Sequence, residues 1–107
     1  MSASRNYADK NELLEEFKKS KADNFTWTEK FGVLLMKLHK LVLQKPNFHN
    51  YSADFKNDMM QYSFLRIFKG LKNYDESRPF FPYLYRAIHL NYWQYCKQHY
   101  RRLNKYN

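Results

Sequence analysis

The stretch EKFGVLLMKLHKLVLQKP, residues 29–46, decides the fold class of this chain. Phe31, Leu34, Leu35, Leu38, Leu41 and Val42 recur at steps of three and four, which places them on one stripe of a helix. The strict alternation of a half-buried strand is absent. Thr26 followed by Glu29 has the form of a capping box, and the residue before Pro46 is pushed out of helical space, so the spacing predicts a helix over residues 26–45. The same periodicity continues on both sides. Leu13, Leu14 and Phe17 predict a short helix over 11–19 with its charges outside. Phe55, Met59 or Met60, Ser63, Phe64, Ile67, Phe68 and Leu71 predict a third helix over 52–72, where Gly70 is expected to admit another backbone closely. The turn 47–51 carries two rings, Phe48 and Tyr51, able to pin it to the core, and 73–79 is a second turn by composition. A fourth helix is expected to begin within 79–82, since proline is favoured in a first turn, and to reach about residue 103. The expectation is an all-α protein, a compact bundle of about four helices. Residues 11–104 form one domain in this reading, with flexible ends at 1–10 and 105–107.

Size and composition narrow the classes. The chain has 107 residues, enough for one small core. A net charge of +9 and a pI near 9.7 make nucleic acid the leading partner, ahead of an anionic membrane. No apolar run approaches the ~18–20 residues of a membrane span, and the first ten residues lack the apolar core of a secretory signal, so an intracellular protein is expected. The one cysteine, Cys96, excludes an internal disulfide and is expected to pack among aromatic neighbours. His39, His49, His89 and His99 are scattered without metal-ligand spacing, and neither a glycine-rich phosphate loop nor a nucleophile motif occurs. No enzyme activity, metal or cofactor is expected.

Charge is unevenly spread. All ten acidic residues lie at or before Glu76. Residues 77–107 carry Arg78, Arg86, Lys97, Arg101, Arg102 and Lys105, interleaved with nine aromatic residues: Phe80, Phe81, Tyr83, Tyr85, Tyr92, Trp93, Tyr95, Tyr100 and Tyr106. Single-stranded nucleic acid offers handles for both chemistries. Cations neutralise phosphates and release counterions, and rings stack on unpaired bases at ~1–3 kcal/mol each. Rings at helical spacing also build cores, so about half of them are expected inside. Leu84, Ile88 and Tyr95 are the core candidates of this helix, and Trp93 fits either role.

One block adds detail: Asp58-Met59-Met60-Gln61, then Phe64-Leu65-Arg66-Ile67-Phe68-Lys69-Gly70-Leu71, Tyr74-Asp75-Glu76-Ser77-Arg78, and Phe81-Pro82-Tyr83-Leu84-Tyr85-Arg86-Ala87-Ile88. In order and separation it resembles region 2 of bacterial sigma factors. Within that family it is most similar to the small late-transcription sigma factors of T-even-like bacteriophages, over residues 48–102 and more weakly through 11–14. The resemblance implies a sigma region 2-like bundle that holds bacterial core RNA polymerase, through the coiled coil of its largest subunit, with Asp58, Gln61, Tyr62, Leu65 and Arg66. It also implies that the next loop and helix recognise and melt an A·T-rich −10-type promoter element, captured as single-stranded non-template DNA. Tyr85, Tyr92 and Trp93 are then the base platforms, and Arg78, Arg86, Lys97, Arg101 and Arg102 hold phosphates. Asn91, Gln94 and Gln98 are placed to reach base edges. The compartment would be the host bacterial cytoplasm, with a further phage coactivator as a candidate partner. The sequence departs from the family in three ways. No second helix-turn-helix follows, no acidic-hydrophobic tail of the clamp-binding kind follows Arg102, and Pro79 and Pro82 replace a glycine- and serine-like turn. Two other readings stay open: a sigma mimic that occupies the polymerase without reading a promoter, and a basic helical protein that binds nucleic acid alone. Asp58 and Gln61 also suit the positive end of their own helix, whatever the partner.

Overall fold

A computed structural model describes residues 10–48 and 50–106, with side chains through Arg101. Of the expected flexible ends, residues 1–9 and 107 lie outside the described residues. Four helices follow in order: α1 Lys10–Ala22, α2 Glu29–Leu43, α3 Ala53–Leu71 and α4 Phe80–Tyr106. The protein is all-α, as the periodicities predict. α1 starts one residue earlier and ends three later than expected, and α4 runs through Tyr106, so Lys10, Lys105 and Tyr106, expected in flexible ends, are helical.

α1 and α2 are joined by a tight reversal. Asn24 and Phe25 both adopt left-handed backbone, with φ of 55° and 60°. Asparagine tolerates this, whereas a bulky ring pays on the order of 1–3 kcal/mol. Two contacts hold Phe25 there: its N–H donates to the Ser20 carbonyl at 2.7 Å, and its ring packs 5.8 Å from Trp27. This reversal moves the start of α2. Thr26 is used inside the turn, its N–H on the Asp23 carbonyl, so the expected Thr26–Glu29 capping box does not form. Thr28 caps instead, its oxygen accepting from the Phe31 N–H at 3.1 Å. The Thr28 hydroxyl donates in turn to Glu16 of α1 at 2.8 Å. That hydrogen bond, then Lys19 at 3.2 Å, holds the Glu16 carboxyl below the usual carboxylate range.

Ser52 caps α3 by accepting from the Phe55 N–H. α3 buries Met59, Ser63, Ile67 and Leu71, one residue per turn. Gly70 is not the close approach that was expected: a Cβ there meets only the Tyr83 hydroxyl at 3.5 Å, ordinary contact. Phe48 pins the α2–α3 turn, 2% exposed, with its ring edge-on to His89 and Tyr92 at 5.2 and 5.5 Å. In the second turn Asp75 accepts from both the N–H and the hydroxyl of Ser77, and the Tyr74 hydroxyl donates to the Arg78 carbonyl. Pro79 and Pro82 flank the first turn of α4, where missing N–H groups cost little.

Leu13, Phe17, Phe31, Leu35, Leu38, Val42, Met59, Leu71, Leu84 and Ile88 form the apolar core, each at most 1% exposed. Through it runs one polar chain. His39 Nδ1–H donates to the Leu35 carbonyl at 2.8 Å, which leaves Nε2 to accept from the Ser63 hydroxyl at 2.9 Å. Ser63 accepts from the Asn91 amide at 3.3 Å. Asn91 accepts from Arg66 Nε at 3.3 Å. The Tyr92 hydroxyl closes onto the His39 carbonyl at 2.9 Å.

Burial pushes the His39 imidazole down to about 4, against about 6.5 in an unfolded chain. Between those values the unfolded state binds the extra proton, so folding stability falls as pH drops from about 6.5 to about 4, by a total on the order of 3 kcal/mol. Urea unfolding across that range is expected to show this slope, and His39→Gln to flatten it whatever its own stability. Equal slopes in the two proteins would remove His39 as the titrating group.

Candidate nucleic-acid interface

α4 has 27 residues and so runs about 40 Å. Its inner face is Leu84, Ile88, Asn91, Tyr92 and Cys96, all buried. The Cys96 thiol lies 3.5 Å from the Met59 sulfur. Its outer face follows at the complementary spacing: Arg86, Leu90, Trp93, Lys97, Tyr100 and Arg101 are all exposed. Leu90, Trp93 and Tyr100 keep 50%, 54% and 52% of their surface. The Lys97 ammonium stands over the Trp93 ring, 5.0 Å from its centre. This row carries no carboxylate, and no α4 cation enters an ion pair among the described residues. The ion pairs join Lys19 to Glu16, Lys21 to Glu76 and Lys30 to Glu12, all outside α4.

Grooves flank the row. One of about 560 Å³ lies between Arg78 and Arg86 over a floor of Pro79, Pro82 and Leu90. A second of about 540 Å³ runs from Phe48 and Tyr51 to Trp93, Lys97 and Tyr100. A strand laid along the row meets cations at Arg86, Lys97 and Arg101 and rings at Trp93 and Tyr100, the combination that binds single strands without base-pair readout.

The expected DNA-binding residues divide. Arg78, Arg86, Trp93, Lys97 and Arg101 are exposed. The backbone of Arg102 belongs to α4, while its side chain lies outside the described residues. Tyr92 is corrected. It is 0% exposed, its hydroxyl is committed to the His39 carbonyl, and burial raises its pKa, so no base can stack on it. The reason is register: Tyr92 lies four residues after Ile88 and four before Cys96 on the inner face. Asn91 is corrected too, since both ends of its buried amide are bonded within the protein. Tyr85 is half-buried and turned toward the end of α2. Its ring packs against Phe81, and the Lys45 ammonium covers it at 5.6 Å. Phe80 is buried against Phe17 at 4.8 Å. Tyr95, expected in the core, is half-buried and packs edge-on against Phe55. Leu90 and Tyr100 were not singled out from sequence as interface residues. The signal was their spacing, Leu90 four after Arg86 and Tyr100 seven after Trp93.

The expected polymerase-facing residues form one outward row on α3. Asp58, Gln61, Leu65 and Arg66 are exposed and Tyr62 is half-buried. Leu65 keeps 65% of its surface, the largest share of any large hydrophobic side chain described. Arg66 packs over the Tyr62 ring at 5.4 Å, and Tyr62 touches Tyr95 of α4 at 5.4 Å, so the α3 and α4 rows adjoin. Among the described residues no three His, Cys, Asp or Glu side chains gather as metal ligands, and no helix is long and apolar enough to cross a membrane. No family model matches the chain, and comparison with curated proteins and with solved structures finds no match.

Neighbouring substitutions on α4 separate its faces. Trp93→Ala is expected to weaken binding of a short oligothymidylate by about 1–3 kcal/mol with stability unchanged. Tyr92→Phe is expected to cost about 1 kcal/mol of stability with binding unchanged. Fluorescence anisotropy and urea unfolding of both variants measure this. The reverse pattern would place the interface elsewhere.

Proposed function

We propose that this chain is a small sigma-type promoter-recognition subunit, which joins bacterial core RNA polymerase through α3 and holds the non-template strand of a melted, A·T-rich −10-type element along α4. The observation that carries the reading is the adjacency of two unlike exposed rows on one bundle. Asp58, Gln61, Tyr62 and Leu65 follow the i, i+3, i+4, i+7 pattern by which one helix docks on another. Leu65, more than half exposed, is the natural anchor of that contact. The α4 row beside it presents cations and rings with no carboxylate. The resemblance of the block from Asp58 to Ile88 to sigma region 2 ties these rows to polymerase and promoter.

The chemistry is capture rather than catalysis. Opening DNA costs a few kcal/mol per unstacked step. Phosphate neutralisation by Arg86, Lys97 and Arg101 and stacking on Trp93 and Tyr100 offset that cost on the single strand alone. The sigma-type reading places the protein in the cytoplasm of a host bacterium, serving late phage promoters with or without a coactivator.

A second reading has an observation in its favour. With Tyr92 buried and Tyr85 covered, α4 exposes only Trp93 and Tyr100 among its described rings. A sigma mimic, which occupies the polymerase without reading a promoter, needs no more.

Polymerase binding and run-off transcription separate these. The chain is expected to be retained by immobilised core polymerase, and Asp58→Lys combined with Gln61→Ala to lose at least tenfold in affinity while remaining folded. With an A·T-rich template the sigma-type reading gives a transcript. Binding without a transcript supports the mimic. No binding to polymerase removes both and leaves a nucleic-acid-binding protein acting alone.

A further inference from the structure

The α3–α4 seam holds a groove of about 330 Å³ that neither row accounts for by itself. Its cations come from both helices, Arg66 from α3 and Lys97 and Arg101 from α4. The exposed amides of Gln94 and Gln98 lie between them, and the Trp93 ring forms one wall. Gln98 donates to the Tyr62 hydroxyl at 3.5 Å across the seam. No carboxylate lines it. Arg66 also borders the adjoining groove of about 390 Å³, where Lys69 supplies the next cation on the α3 side.

We infer that this seam is a second track for single-stranded DNA, in which Arg66 holds a phosphate and therefore serves the strand rather than a protein partner. The inference rests on the proposed capture of single strands by α4. Three observations carry it. Arg66 is aimed along the seam, because its Nε is fixed on the buried Asn91 at 3.3 Å while the rest of the guanidinium stays exposed over Tyr62. The charge of the lining has one sign, which favours an anionic occupant. A flat wall at Trp93 and the exposed amides of Gln94 and Gln98 suit a nucleobase between phosphates. An acidic peptide such as polyglutamate would satisfy the cations but brings no flat group to the Trp93 ring.

The substitution Arg66→Gln isolates the phosphate contact, since glutamine places its Nε2 where arginine has Nε and keeps a donor for Asn91. Binding of a short oligothymidylate to the full chain is measured as a function of salt. Arg66→Gln is expected to lower the slope of log K against log salt by about 0.7 and to weaken binding about fivefold at 0.1 M salt. Arg66→Lys is expected to restore the slope. An unchanged slope in Arg66→Gln, with Arg101→Gln and Trp93→Ala both impaired, overturns the seam track and leaves the α4 row standing. Normal binding in all three variants overturns both the seam track and the α4 row, and no binding by the unaltered chain overturns the single-strand reading itself. Displacement of the oligonucleotide by hexaglutamate as effective as by unlabelled oligothymidylate would overturn the assignment to DNA and make the seam a general anion surface.

Discussion

The surface of this protein depends on one hydrogen-bonded thread, Leu35 to His39 to Ser63 to Asn91 to Arg66, which stitches α2, α3 and α4 together. Apolar packing alone leaves a ring-rich helix with several acceptable rotations, because Tyr85, Tyr92, Trp93 and Tyr95 all carry large faces to bury. Successive residues on a helix differ by about 100°. Turning α4 by a single position would carry Trp93 into the buried place of Tyr92 and Tyr92 into that of Asn91. The thread forbids this, since Asn91 must reach Ser63 and the Tyr92 hydroxyl must reach the His39 carbonyl, 53 residues away in sequence. A buried polar chain with every member satisfied adds little net energy but fixes one arrangement, because each misplaced alternative strands a donor or acceptor in the core.

That rotation sorts the charges as well as the rings. Three carboxylates are held away from α4: Glu16 by Thr28 and Lys19, Glu12 by Lys30, and Glu76 by Lys21. None reaches the outer face of α4. Of the net charge of +9, +6 falls within residues 77–107, where Arg86, Lys97 and Arg101 stand and no acidic residue occurs. Exposed cations without partners repel one another in the free protein, and an anionic strand relieves that repulsion when it binds. The same row would be a poor docking site for another basic protein, which separates it from the mixed α3 row alongside.

The fold was legible because its signal is local. Of the expected α2 stripe, Phe31, Leu34, Leu35, Leu38 and Val42 are buried and Leu41 is half-buried, and Ser52 starts α3 where a cap residue precedes an apolar run. What sequence reading missed was decided between segments. Thr26 and Thr28 are equally good cap residues, and the choice between them is made by Phe25 folding back on Ser20 and by Glu16 of α1, neither visible from the motif. Most of the α3 row lies off the stripe of Phe64, Ile67, Phe68 and Leu71, which marks it as outward in the sequence, and Asp58, Gln61, Leu65 and Arg66 are exposed. On α4 the rings supply no such contrast. Tyr92 and Trp93 are neighbours of similar size and polarity, and the spacing from Ile88 and Cys96 together with the distant His39 carbonyl distinguishes them.

The thread ends at Arg66, and this joins the buried register to the exposed one. Asn91 is held from inside by Ser63, so the arginine it bonds is held at a fixed place between the α3 row and Trp93. A long cationic side chain on a surface ordinarily loses rotamer freedom when it meets a phosphate or carboxylate, at a cost of up to ~1.5 kcal/mol. Here much of that ordering is already present before any ligand arrives. The Lys97 ammonium over Trp93 is ordered in a similar way, though more weakly, by attraction to the ring. A strand entering the seam thus meets two cations and one ring whose relative positions were set when the domain folded. The asymmetry has a consequence for mutation. Changes at His39, Ser63 or Asn91, none of which a ligand touches, loosen Arg66 and the α3–α4 boundary together, whereas changes at Lys97 or Trp93 leave the core as it was.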